Sequence, residues 1–216
     1  MENARYAIFD MDGTLLDSMG YWLGLIDEVL SLLPKNALLT DEARKNLQTM
    51  GLRRARAYLE SLHVVDDGSF TEEKTAQLML KHYTEDIGVR AGVRELLDGL
   101  RAQGVRMVIA TLTPRPLVEL ALKRNGLDGY FEALFTANEY PEGKRKPRIF
   151  LDILSYFGAS AEEVWLFEDS LYSARTAHSL GIRIAVTEDE TQRENFPALY
   201  ELSDAYFTDG FLRRLK

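Results

Sequence analysis

Short runs of apolar residues recur along the chain, and between them lie segments whose apolar residues return every three or four positions. The short runs predict buried β-strands, and the segments with the longer period predict amphipathic helices. The predicted strands are Tyr6–Phe9, Val105–Ala110, Ala133–Thr136, Val164–Phe167, Ile182–Val186 and Ala205–Phe207. Strands that alternate with helices indicate a parallel sheet covered by helices on both faces.

Helical patterns lie between most of these strands. They are Gly92–Gln103, Arg115–Asn125, Arg148–Phe157 and Ser170–Leu180. A glycine follows three of them, at Gly126, Gly158 and Gly181, which is a common stop signal at the carboxyl end of a helix. We therefore expect an α/β fold with a doubly wound, Rossmann-like parallel sheet.

The stretch from about residue 17 to residue 87 contains helical patterns only. The predicted helices are Gly20–Leu33, Asp41–Met50, Arg53–Leu62 and Thr71–Asp86, with Thr40 and Thr71 as N-cap residues. We predict a core of residues 1–16 and 88–216 and an all-helical cap of residues 17–87, inserted after the first strand. An insert at this point would lie over the carboxyl end of the sheet.

Composition narrows the possible partners and locations. The chain has 216 residues, of which 46% are hydrophobic and 28% charged, as in globular proteins. Its formal net charge of −8 argues against a nucleic-acid partner, because phosphate backbones bind basic surfaces. The chain has no cysteine, no apolar stretch long enough for a bilayer and no secretory signal. We expect a cytoplasmic monomer or small homo-oligomer with no membrane partner.

Two aspartates mark the end of the first predicted strand. Asp10 follows Tyr6–Phe9 directly, and Asp12 lies two positions further on, before Gly13. Ligand sites in open α/β sheets lie at the carboxyl ends of the strands. Carboxylates this close repel each other unless a cation lies between them, and Mg²⁺ accepts such ligands together with a phosphate. The segment therefore predicts a Mg²⁺-assisted phosphate site.

More polar residues lie near the ends of other predicted strands and could converge on Asp10. They are Thr111 and Thr113, Lys144 and Lys146, and Glu168 and Asp169. Such a set suits phosphoryl transfer, with Asp10 as nucleophile and Asp12 as proton donor and acceptor. Asp10 and Asp169, with a backbone carbonyl near Asp12, could hold Mg²⁺. Thr111 could bind the phosphate, and one of the lysines would balance its charge.

Four motifs, taken in order, resemble the haloacid dehalogenase superfamily. They are Asp-Met-Asp-Gly-Thr-Leu at 10–15, the strand-terminal Thr111, a lysine before a helix that begins with proline, and Glu-Asp-Ser at 168–170. The helical insert resembles the cap of the phosphatase and β-phosphoglucomutase-like branch. The resemblance implies that Asp10 is the nucleophile, Asp12 the general acid/base and Lys144 the catalytic lysine. Thr111 matches the threonine of the family's second motif.

The resemblance also implies the ligand sets and shows some departures. Its metal ligands would be Asp10, Asp12, Asp169 and Glu168, the last of them directly or through water. The resemblance puts Arg54 where cap residues contact substrate, with a solvated helix face as the alternative. Thr113 and Trp22 are further candidate substrate-binding residues, and the core of the cap is the alternative for Trp22. The third motif departs from the usual family pattern at Arg145 and Arg148. Near the fourth motif, the bulky Tyr172 is a further departure from the family pattern.

The implied function is Mg²⁺-dependent hydrolysis of a phosphomonoester on a small soluble metabolite, through an aspartyl-phosphate intermediate. Asp12 argues against dehalogenase chemistry, because dehalogenases of this superfamily lack the second acidic residue. Trp22 stands where mutase-like members have a histidine, which disfavours a phosphomutase. A sugar phosphomutase is the alternative of the same class, and a non-catalytic binding or regulatory protein is the alternative of another class.

Overall fold

The computed structural model describes residues 4–31, 39–48, 52–63, 72–136, 139–208 and 211–214. The chain divides into two compact units, one of Met1–Ser18 with Ile87–Lys216 and the other of Met19–Asp86. The roles of core and cap that the sequence predicts for such units stay predictions. Within the described residues, no helix is long and apolar enough to cross a membrane.

A seven-stranded sheet lies at the centre of the first unit. Its strands are β1 (Tyr6–Phe9), β2 (Arg106–Ala110), β3 (Ala133–Phe135), β4 (Val164–Glu168), β5 (Arg183–Thr187), β6 (Ala205–Thr208) and β7 (Phe211–Arg214). The order is β3-β2-β1-β4-β5-β6-β7, and all neighbouring pairs are parallel except β6 with β7. The predicted α/β class with a doubly wound parallel sheet is confirmed.

The helices of the described residues agree with the predicted pattern except at the carboxyl end of the chain. They are α1 (Met19–Ser31), α2 (Asp41–Gln48), α3 (Leu52–Ser61), α4 (Glu72–Glu85), α5 (Val93–Ala102), α6 (Arg115–Arg124), α7 (Arg148–Phe157), α8 (Leu171–His178) and α9 (Phe196–Leu202). α9 and β7 are not among the helices and strands that the sequence pattern predicts. β7 contains only two apolar residues, and its extended form is stabilised by antiparallel pairing with β6.

The apolar strand residues form the core of the first unit. Ile8, Val108, Leu166 and Ile184, on four neighbouring strands, are fully buried in one cluster. Phe9 and Phe167 stack on each other with their ring centroids 4.4 Å apart. Because these strands are covered on both faces, their sequences are continuous apolar runs rather than alternating ones.

The second unit contains α1 to α4. The indole N–H of Trp22 in α1 donates to the hydroxyl of the buried Tyr83 in α4, at 3.1 Å. Thr40 accepts from the backbone N–H of Ala43 at 3.2 Å, which confirms it as the N-cap of α2. The predicted helix ends at Leu33 and Met50 and the predicted cap residue Thr71 lie outside the described residues.

His82 lies between two carboxylates in this unit. Its Nδ1 is 2.8 Å from Asp86 Oδ2, and its Nε2 is 2.7 Å from Glu28 Oε2. Burial opposes protonation, but the hydrogen bonds to Glu28 and Asp86 outweigh it and raise the pKa of His82. The stabilisation from the charged imidazole is therefore complete below the unfolded-state pKa of about 6.5, and it is lost as the pH rises through the higher folded-state pKa.

We expect His82→Gln to lower the melting temperature more at about pH 6 than at about pH 9, because only the protonated imidazole is stabilised by both carboxylates. Thermal unfolding of the wild type and the variant at the two pH values measures this difference. His178→Gln, at an exposed position of α8, is the matched control and should show no such dependence. An equal loss of stability in His82→Gln at both pH values would contradict the conclusion that the protonated imidazole of His82 stabilises the fold.

Candidate active site

Asp10 lies at the point of the sheet where the strand order changes direction. β1 has β2 on one side and β4 on the other, so the chain is wound outward from this place in both directions. The backbone N–H of Asp10 donates to the carbonyl of Phe167 at 3.0 Å, next to Glu168 at the end of β4. Asp10 and the pair Glu168-Asp169 therefore meet at one edge, as their positions after predicted strands implied.

Lys144 is the buried cation of this edge and is only 2% exposed. Its Nζ lies 2.5 Å from Oδ1 of Asp10 and 2.7 Å from Oε2 of Glu168. It belongs to a short 3-10 helix, Gly143–Arg145, that begins at a left-handed φ of 66°. A Cβ at Gly143 would lie 3.2 Å from the side chain of Leu112, so the tight turn favours glycine. The turn buries Lys144 and leaves Lys146 exposed.

Glu168 is held by four donors. The backbone N–H and the hydroxyl of Ser170 lie 3.1 and 2.6 Å from its Oε1. The hydroxyl of Ser173 lies 2.6 Å from Oε2, which also accepts from Lys144. The sequence analysis gave neither serine a role. Their separation of three positions at the start of α8, which puts both side chains on one face, was the available signal.

Burial and charge compete in this cluster. Burial raises the pKa of Asp10 to about 8, opposed by Lys144 and assisted by the carboxylates of Glu168 and Asp12. Burial likewise raises the pKa of Asp169 well above its usual range, with Glu168 and Asp10 adding to the effect. Burial also acts against ionised Glu168, but Lys144 outweighs it and lowers the pKa of Glu168. Among the described residues, three carboxylates of this cluster thus face a single ammonium group, that of Lys144.

The donor set fits the predicted Mg²⁺. Asp10, Glu168 and Asp169 are buried, and each brings a carboxylate oxygen within 4.8 Å of the others. Oxygen-only sets of this kind suit hard cations such as Mg²⁺, and a cation here would favour the ionised carboxylates that burial disfavours. Asp12 is outside this cluster. A metal contact by Asp12, through its backbone carbonyl, stays a prediction.

The carboxylate of Asp12 is held by two hydroxyl groups. Ser18 Oγ lies 2.7 Å from its Oδ1, and Thr113 Oγ1 lies 2.6 Å from its Oδ2. A hydroxyl can donate to a carboxylate or accept from a carboxylic acid. The same two contacts therefore suit both protonation states, which is what a general acid/base requires. The sequence analysis did not identify Ser18.

The two threonines that follow β2 are buried and bonded to each other. The backbone N–H of Thr113 donates to the hydroxyl of Thr111 at 3.1 Å. Because the hydroxyl of Thr113 donates to Asp12, the structure places Thr113 beside the residue that is predicted to be the acid/base. The roles of Thr111 toward phosphate and of Thr113 toward substrate stay predictions.

The remaining predicted substrate residues belong to the second unit. Trp22 is half-buried, and its indole N–H is bonded to Tyr83 within that unit. The backbone of Arg54 lies in α3, but its side chain lies outside the described part of the structure. Substrate contact by Trp22 and Arg54 stays a prediction.

The fold and the site together define an α/β enzyme that has a buried aspartate–lysine pair and a carboxylate cluster at the switch point of its sheet. The chain belongs to the haloacid dehalogenase-like hydrolase family, whose profile matches residues 7–187. That range contains all four motifs. The family resemblance and the hydrolase class predicted from the sequence are confirmed.

Individual relatives agree with this assignment. The chain is 27% identical over 176 residues to the phosphorylated carbohydrates phosphatase of Thermotoga maritima, covering 81% of each chain. It is 27% identical over 185 residues to the phosphoglycolate phosphatase of Pseudomonas putida, covering 83% of this chain and 67% of that one. A crystal structure of a haloacid dehalogenase-like protein of unknown function from Agrobacterium tumefaciens shares the fold, with a TM-score of 0.74, 21% identity and coverage of 95% and 94% of the two chains.

Proposed function

We propose that this protein is a Mg²⁺-dependent phosphomonoester hydrolase that acts on a small soluble phosphorylated metabolite through an aspartyl-phosphate on Asp10. The observation that carries the proposal is the buried Asp10 at the switch point, bonded to Lys144 and flanked by Glu168 and Asp169. The phosphatase names of the similar proteins support the same chemistry. The cytoplasmic location stays a prediction.

The first half-reaction transfers the phosphoryl group to Asp10. Lys144 engages Oδ1, so we assign the attack on phosphorus to Oδ2. The new bond joins Oδ2 to phosphorus, the ester P–O bond breaks, and Asp12 gives a proton to the leaving oxygen. Lys144 stabilises the charge that develops on the phosphoryl oxygens. Mg²⁺, when bound, would shield the phosphate dianion from the carboxylates of Asp10 and Asp169.

The second half-reaction regenerates Asp10. Asp12, now a carboxylate, takes a proton from water while the water oxygen attacks phosphorus. The bond between phosphorus and Oδ2 breaks, and inorganic phosphate leaves. Ser18 and Thr113 keep the Asp12 carboxyl group in one orientation through both steps, because its oxygens can accept from their hydroxyls whether or not the group carries its single proton.

A turnover assay separates this proposal from the alternatives. A hydrolase releases inorganic phosphate from an aryl phosphate when Mg²⁺ is present. A phosphomutase would instead convert one isomer of a sugar phosphate to another with little release of phosphate. A non-catalytic binding protein would do neither. Absence of phosphate release from aryl phosphates and from a panel of phosphorylated metabolites would overturn the proposal.

We expect Asp12→Asn to reduce kcat by roughly 10²–10⁴-fold, the range typical of general acid–base catalysis. The amide keeps the shape of the side chain but cannot deliver or accept the proton. Steady-state kinetics on substrates with increasingly good leaving groups measures the effect. The loss should be smallest for the best leaving group, which needs least protonation, and an equal loss for all leaving groups would contradict the acid role.

We expect removal of divalent metal to silence the enzyme and Mg²⁺ to restore it. Asp10, Glu168 and Asp169 form an oxygen-only donor set, so Mg²⁺ should be preferred to Zn²⁺. Ca²⁺ should inhibit, because its larger and looser coordination shell misplaces the nucleophile relative to the phosphate. Phosphatase activity measured in the presence of a chelator, and again after addition of each metal, tests this expectation. Full activity in excess chelator would be incompatible with the proposal.

A further inference from the structure

A pocket of about 400 Å³ lies beside Lys144 in the first unit. Its wall comes from three segments, which contribute Leu112 after β2, residues 140–145 before α7, and Tyr172 in α8. This volume is within the usual range for sites of small molecules. Because Lys144 belongs both to the wall and to the ion pair with Asp10, the pocket borders the place where phosphoryl transfer is proposed.

Arg145 provides a cation in this wall that contacts an aromatic ring but has no carboxylate partner in the part of the chain that the structure describes. Its guanidinium carbon lies 4.3 Å from the centroid of the Tyr172 ring, which is a cation–π contact. Several other arginines of the first unit are bonded to carboxylates, as Arg90 is to Asp189 at 2.6 Å. Among the described residues, no carboxylate pairs with Arg145, and its side chain is exposed. The guanidinium therefore lies against the Tyr172 ring, and no carboxylate of the described residues occupies its N–H donors.

The rest of the wall is largely apolar. Leu112 is 42% exposed, and Tyr140 presents its ring while its hydroxyl donates to Asp152 at 3.0 Å. Burial raises the pKa of Tyr172, so its phenol is neutral at physiological pH. Glu142 is the one acidic residue of the wall, and it is exposed. An apolar wall with one unneutralised guanidinium suits an organic group that ends in an anion.

We propose that this pocket binds the leaving group of the substrate and that Arg145 binds a second anionic group carried by it. The favoured substrates are then phosphate monoesters that also bear a carboxylate or a second phosphate. This inference rests on the proposed hydrolase function and adds the substrate class and a specificity-determining residue. Arg145 suits either anion, because its planar fork can donate two parallel hydrogen bonds to a carboxylate or a phosphate.

Three aryl phosphates with the same ring test the proposal. Phenyl phosphate has no second anion, 4-carboxyphenyl phosphate carries a carboxylate as its second anion, and 1,4-phenylene bisphosphate carries a second phosphate. We expect Arg145→Met to lower kcat/KM for one or both of the doubly anionic probes by roughly 10- to 100-fold more than for phenyl phosphate, as for a lost charge-assisted hydrogen bond. Equal loss on all three probes would overturn the inference.

Lys146→Met is the matched control for general electrostatic attraction. Lys146 is the next residue, carries the same charge and is exposed, but it is not part of the pocket wall. We expect this variant to leave the ratios among the three probes within about twofold of the wild type, since screening weakens the effect of distant exposed charges. A selective loss as large as that of Arg145→Met would mean that the pocket does not determine the preference.

A binding measurement separates failure of this inference from failure of the proposed function. Phenylphosphonate and 4-carboxyphenylphosphonate lack the ester bond, so their Kd values can be measured by calorimetry with Mg²⁺ in the absence of turnover. We expect Arg145→Met to raise the Kd of the carboxylated phosphonate about tenfold or more, and that of phenylphosphonate much less. Unchanged Kd values, or no binding of either compound to the wild type, would overturn the inference. If the wild type hydrolysed none of the esters but Arg145→Met still raised the Kd of the carboxylated phosphonate selectively, only the proposed hydrolysis would be contradicted.

Discussion

Asp10→Asn should abolish turnover while the protein stays folded. An amide cannot attack phosphorus, so we expect kcat to fall by roughly 10⁴-fold or more, on the scale of nucleophile removal in other enzymes. The fold should tolerate the change because burial already disfavours the ionised carboxylate, whose pKa is about 8. The amide is neutral as well, and Lys144 keeps its bond to Glu168, so the melting temperature in the absence of metal should stay close to that of the wild type. Kinetics on an aryl phosphate and thermal unfolding measure the two effects.

Asp17→Asn is the matched control, because Asp17 is an exposed aspartate in the same segment. It should retain nearly full activity. Mass spectrometry of wild-type protein quenched during turnover should also find a phosphoryl group on Asp10, and Asp10→Asn should not acquire it. Near-normal activity in purified Asp10→Asn would exclude Asp10 as the nucleophile.

Lys144→Met should damage both activity and stability. Loss of the ammonium group removes the donor to the transferred phosphoryl group, for which we expect a fall in kcat of roughly 10²–10³-fold. It also leaves Asp10 and Glu168 buried without their cation, and breaking a buried ion pair from one side costs about 3–5 kcal/mol of unfolding free energy. Chemical denaturation and kinetics on the same preparation measure the two losses.

The pH dependence of Lys144→Met identifies the cause of its instability. Lys144 lowers the pKa of Glu168, so the stability that Glu168 gains from the pair is present above its ordinary pKa of about 4.3 and lost as the pH falls through the folded-state pKa. The difference in stability between wild type and variant should therefore shrink in acid. Lys146→Met, at an exposed position, should change neither property. If Lys146→Met lost most of its activity while Lys144→Met kept wild-type activity, Lys146 rather than Lys144 would be the catalytic lysine.

The sequence alone was sufficient for six of the seven described strands and for the position of most of the candidate site. The strands β1, β2, β4 and β5 are largely buried apolar runs, because both of their faces are covered, whereas β3 and β6 are only partly buried. The residue after such a run lies at the carboxyl edge of the sheet in every parallel strand. That rule brought Asp10 and Glu168-Asp169 together before any distance was known.

The sequence could not identify contacts that depend on side-chain direction. Lys144 and Lys146 are equivalent in local pattern, and in the sequence only the family resemblance favours Lys144; the turn at Gly143 is what buries the first and leaves the second exposed. Ser18 and Ser173 belong to no recognisable pattern of their own, and they bond to Asp12, six residues away, and to Glu168, five residues away, because the turns between them bring the side chains together. β7 was missed for the related reason that its pairing with β6 outweighs its weak local pattern.

Arg145 and Tyr172 show the same division most clearly. In the sequence they are two separate departures from a family pattern, far apart along the chain. In the structure the guanidinium of one lies over the ring of the other, in the wall of a pocket that also contains Lys144. Local periodicity determined which segments become strands and helices, because burial acts on every residue of a segment. Tertiary structure alone decided which charged groups are buried, paired or left available, because those properties depend on the few atoms that meet when separate segments pack.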